Sequence, residues 1–183
     1  PYHFVQNYNG DVQPDYHFVH RTFQTEDLHF FVSALHRLYQ EHDSMEKVFQ
    51  TNTSMPGALG RIVSFRNYML QTQHALRSKK HLSNPLKNSA AKRLNMFLRW
   101  MVRRDDQGVD FGIWKEITPS ELYLPLDVHT GNVARKLNIL KRKQNDYKAL
   151  EELMVVLRKL DPEDPVKYDF ALFGLGVNND LIE

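Results

Sequence analysis

The chain has 183 residues, enough for one domain that buries roughly 70% of its unfolded surface without staples. It contains no cysteine, which excludes disulfides, iron–sulfur clusters and thiolate zinc sites, and it has no apolar run of membrane-spanning length. Its formal net charge is only +2, so the position of the charge carries more information than the sum. No signal peptide is legible, and the expected location is the cytoplasm. The opening at Pro1, without Met, is what a fragment of a longer chain shows.

In chain order, residues 1–24 are rich in aromatics (Tyr2, Phe4, Tyr8, Tyr16, Phe18, Phe23) and are broken at Asn9-Gly10 and Pro14. That pattern predicts two short helical pieces that pack against something. His17 and His20 have the i, i+3 spacing of two ligands on one helix face, but no third ligand follows at a recognisable spacing. No metal and no other cofactor is expected. From Thr25, a plausible N-cap, Leu28, Phe31, Val32, Leu35, Leu38 and Tyr39 recur at helical spacing to about Glu41. A short helix over 44–50, a loop over 51–57 and an amphipathic helix from Ala58 to about Leu76 follow.

Pro85 pushes Asn84 out of the α region, and Leu86-Lys87-Asn88-Ser89 makes a tight connection into a strong helix that opens near Ser89. Leu94, Phe97, Leu98 and Met101 form its core face. From Arg77 to Arg104 there is no Asp or Glu, while Arg77, Lys79, Lys80, Lys87, Lys92, Arg93, Arg99, Arg103 and Arg104 are all basic. Lys92, Arg99 and Arg103 fall near one another on a second face. A basic stripe beside a helix N-terminus is suited to phosphate; a solvated basic face is the plainer alternative.

Residues 105–124 connect onward, with Gly108 and Gly112 as breaks. Their Phe111 and Trp114 either line a base-sized pocket or plug the core. Asp127 then stands alone among apolar residues at the start of the next helix, where it is the natural N-cap, and Arg135 extends the positive surface. An amphipathic helix from Asn145 to Leu160 and an apolar one from Val166 to Leu175 close the chain. No alternating run argues for a strand. The expected fold is all-α, a single domain over 1–183 with an N-terminal part (1–85) and a hairpin-like and C-terminal part (86–183).

At KRLNMFLRWMVRR, PLDVHTGNVARKLNIL and DPVKYDFALFGLGV the sequence resembles an uncharacterised bacterial family of unknown function. More distantly, Lys92 followed by Phe97-Leu98-Arg99, then Leu126-Asp127 and His129, resembles the helix-hairpin-helix DNA glycosylases, in particular the 8-oxoguanine glycosylase/lyase branch. The resemblance to the uncharacterised family implies a further helical segment before the position of Pro1, and the glycosylase resemblance implies a helix-hairpin-helix bundle that binds DNA. It places Lys92 at the nucleophile and Asp127 at the assisting carboxylate, with the hairpin glycines falling on Asn88 and Ala90. It also implies phosphate contacts from Lys87, Asn88, Ser89, Arg93, Arg99, Arg103 and Arg135. Trp100, Phe111, Trp114 and His129 are the candidates for a flipped-base pocket. The activity so implied is a base-excision glycosylase and abasic-site lyase. A non-catalytic nucleic-acid-binding module is the alternative, and a helical interaction domain docking through its N-terminal aromatics is the third.

Overall fold

A computed structural model describes residues 2–10, 18–50, 55 and 57–178. The described residues form eight α-helices: α1 (Tyr2–Gln6), α2 (Thr25–Glu41), α3 (Met45–Phe49), α4 (Gly57–Met69), α5 (Lys92–Val102), α6 (Val128–Lys136), α7 (Tyr147–Leu160) and α8 (Asp169–Val177). The all-α expectation holds, with one small departure: Phe18–His20 (β1) pairs antiparallel with Phe23–Gln24 (β2) just before α2. The turn between these strands contains Arg21 at φ 52°. Short 3₁₀ turns at Leu76–His81, Pro85–Lys87, Pro119–Glu121 and Pro165–Tyr168 connect the longer helices.

The helix over 25–41 has the predicted bounds, but Gln24, not Thr25, is its N-cap, and Gln24 N donates to Asp27 Oδ2 at 2.9 Å. The helix predicted to reach Leu76 stops at Met69, and the chain resumes as a 3₁₀ turn at Leu76. The last predicted helix divides into a 3₁₀ turn over Pro165–Tyr168 and α8, because Pro165 fixes the start of the first turn. The loop predicted over 51–57 lies largely outside the described residues.

One core runs through the chain. Phe49 stacks on Phe65 with ring centroids 4.5 Å apart, and Trp114 packs on Phe49 and edge-on to Phe97. From α7, Leu150, Leu153, Met154 and Leu157 enter this core at i, i+3, i+4 and i+7. Ala34, Leu38, Ala58, Leu59 and Ile62 fill the N-terminal side.

A carboxylate with no solvent exposure lies within this N-terminal half. Asp27 has no solvent exposure and receives Gln24 N, Ser78 Oγ at 2.6 Å and Arg77 Nη1 at 2.7 Å, with His81 Nε2 at 3.2 Å. Burial pushes its carboxyl up, but those hydrogen bonds and the charge beside it hold it below the ordinary 3.8. A depressed carboxyl contributes stability above its unfolded value and loses it as pH falls through the folded one. Asp27→Asn is therefore expected to cost about 2 kcal/mol at neutral pH. In urea titrations the gap to wild type should close at acid pH, below 3.8; a gap independent of pH would show that the charge contributes nothing.

Candidate active site

The hairpin before α5 is built from local rules. Asn84 Oδ1 caps Leu86 N at 3.1 Å, Pro85 opens the 3₁₀ turn, and Asn88 ends it in the left-handed region at φ 64°. A second left-handed residue precedes α5, but it is Ala91 at φ 47°, not Ala90. Alanine pays roughly 1–2 kcal/mol there, and its buried position in the core offsets that cost. Asn88 is fastened from outside: its Nδ2 donates to Asp146 Oδ2 at 2.8 Å, and its carbonyl accepts from Tyr147 N at 3.1 Å. The hairpin is thereby clamped to the start of α7, and Lys92 emerges as the first residue of α5.

The opposing wall is the start of α6. Asp127 is its N-cap, as the sequence suggested, and its Oδ1 accepts from Thr130 N at 2.9 Å. The other oxygen faces away from the helix: Lys92 Nζ stands 3.1 Å from Oδ2. The carboxylate thus serves as cap and as partner to the lysine at once. Burial pushes the Asp127 carboxyl up, but the Thr130 amide and the Lys92 ammonium outweigh it and hold the group below its usual range. Its main chain is held as firmly, because Asp127 O accepts from Gly131 N and from Asn145 Nδ2 at 2.8 Å. Asn145 is in turn held by Arg135 Nη2 at 2.6 Å. Position 131 must be glycine for this: a Cβ there would lie 2.6 Å from Asn145 Oδ1.

Lys92 and Asp127 line a cavity of about 200 Å³ together with Met96, Arg99, Pro125, Asp169, Phe170 and Phe173. That is smaller than the roughly 300–1,000 Å³ of drug-sized sites and suits one planar ring system. Its apolar walls come from α5 and α8. Asp169, the first residue of α8, is a second carboxyl on the cavity. Burial and the charge of Asp127 push it up, Arg99 and Lys92 pull it down, and the outcome is about 6.

Several expected site residues have other partners, Arg99 on the cavity included. Arg99 and Arg103 do not form a basic stripe. Arg99 Nε donates to Asp110 at 3.1 Å and its Nη1 to Asp169; Arg103 pairs with Asp110 and, through Nε at 2.8 Å, with Asp164. Arg99 is buried and Asp110 is 2% exposed, so these arginines are engaged with carboxylates of the chain itself. Arg135 is half-buried and bonded to Arg142 O and Asn145. Asn88 is committed to α7, and the Ser89 hydroxyl accepts from Ala91 N at 3.2 Å. Lys87 and Arg93 are exposed and, among the described residues, have no ion-pair partner.

Of the four base-pocket candidates, none lines the cavity. Trp114 is a core plug, one of the two readings left open for it, and Phe111 is 57% exposed beside the bridge to Arg104. Trp100 is half-buried, and its carbonyl accepts from Phe111 N and Gly112 N. His129 is exposed, with Phe173 edge-on to its ring at 5.9 Å, and so stands beside the cavity. Phe170 and Phe173 line the cavity although α8 is apolar on every side and reads in the sequence as core. His17 lies outside the described residues; among the described residues no cluster of His, Asp and Glu is arranged to hold a metal ion.

Residues 1–178 match the family model described as "Protein of unknown function (DUF2400)". No curated protein and no solved structure matches the chain. Among the described residues no helix is long and apolar enough to cross a membrane.

The arginine pair gives a direct test of this arrangement. Asp110→Ala leaves two nearly buried guanidiniums with one carboxylate fewer. The expected loss is about 3–5 kcal/mol in urea unfolding. A loss below about 1 kcal/mol would mean that both arginines reach water once released.

Proposed function

This chain belongs to the DUF2400 family, and from its lysine–carboxylate cleft we propose that it is a DNA-binding protein of the base-excision type, a glycosylase and abasic-site lyase. Lys92 is the nucleophile and Asp127 the assisting carboxylate. The observation that carries this reading is the 3.1 Å contact between Lys92 Nζ and Asp127 Oδ2. The two side chains come from separate helix starts and meet at the mouth of a cavity walled by aromatic rings. The distant resemblance to helix-hairpin-helix glycosylases supports the same pair of residues.

In this reading Lys87 and Arg93, with the unpaired amides at the start of α5, receive the DNA backbone. The target base leaves the stack and enters the cavity against Met96, Phe170 and Phe173. Lys92 loses a proton to solvent, and the free amine attacks C1′ of the sugar. The bond from C1′ to the base breaks, and the base departs with the electron pair. Opening of the sugar at O4′ gives an imine on Lys92, and loss of a C2′ proton then expels the 3′-phosphate. Asp127, held ionised by its cap and by Lys92, stabilises positive charge on the sugar. The exposure of Lys87 and Arg93 equally favours a second reading, a non-catalytic nucleic-acid-binding module in which Lys92 is a phosphate contact.

Borohydride trapping on duplexes carrying an abasic site or 8-oxoguanine separates the two. The glycosylase/lyase reading expects a covalent adduct with wild type and none with Lys92→Ala; absence of any Lys92-dependent adduct favours the binding module. Asp127→Asn should keep the cap, because Asn accepts from Thr130 N as well as Asp does. It is expected to fold and bind DNA like wild type yet turn over about 100-fold more slowly. Equal turnover in the two proteins would reduce Asp127 to a cap.

DNA affinity should also fall with salt. Lys87→Ala and Arg93→Ala are each expected to lower the slope of log affinity against log salt by about 0.9, one phosphate contact each. Arg103→Ala should leave that slope unchanged, because its guanidinium is already spent on Asp110 and Asp164.

A further inference from the structure

Asp169 has no part in the reaction as described, yet it stands on the same cavity as Lys92 and Asp127. Its Oδ2 receives Arg99 Nη1, and among the described residues Oδ1 has no hydrogen-bond partner. Its side chain keeps 10% exposure, and the cavity is where it opens. Arg99 is fixed from behind by Asp110 at 3.1 Å and from above by Phe170, whose ring centre lies 4.4 Å from the guanidinium carbon. The carboxyl is therefore held at one oxygen by a side chain that cannot follow it, and the residue lines the space a substrate would fill.

We infer that Asp169 is a further catalytic residue of this site, the acid that protonates whatever group leaves C1′ as Lys92 bonds to it. The inference rests on the lyase reading of Lys92. On an abasic site the amine adds to the C1′ aldehyde, forming the N–C1′ bond and a hydroxyl on the same carbon. The C1′–O bond then breaks with its electron pair on oxygen, which takes the Asp169 proton and departs as water. The nitrogen lone pair closes the C=N bond, and solvent returns a proton to Asp169. On a damaged nucleotide the departing base takes the same proton.

Two carboxyls on one cavity with opposed environments divide acid and base roles between them. Asp127 is capped and paired, and it stays ionised. Asp169 is buried; Arg99 and Lys92 from α5 face it and favour its charge, Asp127 at the start of α6 opposes it, and it titrates near 6. It is thus able to carry a proton at only mildly acidic pH.

The experiment is the rate of borohydride-trapped adduct on a duplex with one preformed abasic site, measured with the full chain from about pH 5 to 8. Wild type should show a falling limb as pH rises through about 6. Asp169→Asn should form the adduct about 100-fold more slowly, lack that limb and bind the duplex with unchanged affinity. Asp169→Glu should restore part of the rate together with the limb. A variant rate equal to wild type, or a slower rate that keeps the falling limb, overturns the assignment and leaves Asp169 a structural partner of Arg99. Should Asp169→Asn not fold, the wild-type profile still decides, since a profile with no falling limb overturns it too. Absence of any Lys92-dependent adduct in wild type instead brings down the lyase reading, and this assignment with it.

Discussion

Burying Arg99, with Arg103 nearly covered beside it, is possible only because carboxylates meet them, and the α5 segment has none to offer. Asp110 comes from the connection after α5, Asp164 from the turn before α8, and Asp169 from the first turn of α8. Each of these contacts fixes one neighbour of α5. A guanidinium stripped of water costs several kcal/mol unless it is paired and hydrogen-bonded, so the connection and α8 have little choice about where they lie. The floor of the cavity follows from this requirement: α8 is brought over α5, and Phe170 and Phe173 become its walls.

The second constraint is the helix start. A capped N-terminus offers a carboxylate a fixed position and a favourable field, and one oxygen of Asp127 is enough for the cap. The other oxygen remains for Lys92. The lysine has the same kind of placement, at the first residue of α5 behind a left-handed Ala91 that sets the angle of entry. Rigid backbone on both sides, with flexible side chain only on the lysine, is the arrangement that a nucleophile and its assisting group require. α6 and α8 lie close because Gly176 faces the His129 main chain, where a Cβ would come within 3.1 Å of the carbonyl oxygen.

What could be read from the sequence was what local rules control. The Asp127 cap, the turn at Asn84–Pro85, the bounds of α2 and the core stripe of α7 depend on neighbours within one or two turns, and each is where the pattern put it. The meeting of Lys92 with Asp127 came from a resemblance and not from spacing. The acid-free run misled because a count along the chain ignores counter-ions from elsewhere: Arg77 finds Glu26 and Asp27, Arg99 and Arg103 find Asp110, Asp164 and Asp169, and Lys92 finds Asp127. The cavity walls were illegible for the converse reason. In an apolar helix such as α8, a ring facing an open cleft and a ring facing the core have the same letter, and only the packing tells them apart.

The anchorage of the two site elements has a geometric corollary. Asn145 holds the main chain of Asp127, and its immediate neighbour Asp146 holds Asn88 and with it the hairpin that delivers Lys92. The gap between amine and carboxylate is therefore gauged by a single peptide unit, a fixed-length spacer of backbone that touches neither group. A displacement of this step moves both sides of the cleft together. A change in the length of the 145–146 step shifts one side against the other, so the register of the site is encoded where no chemistry takes place.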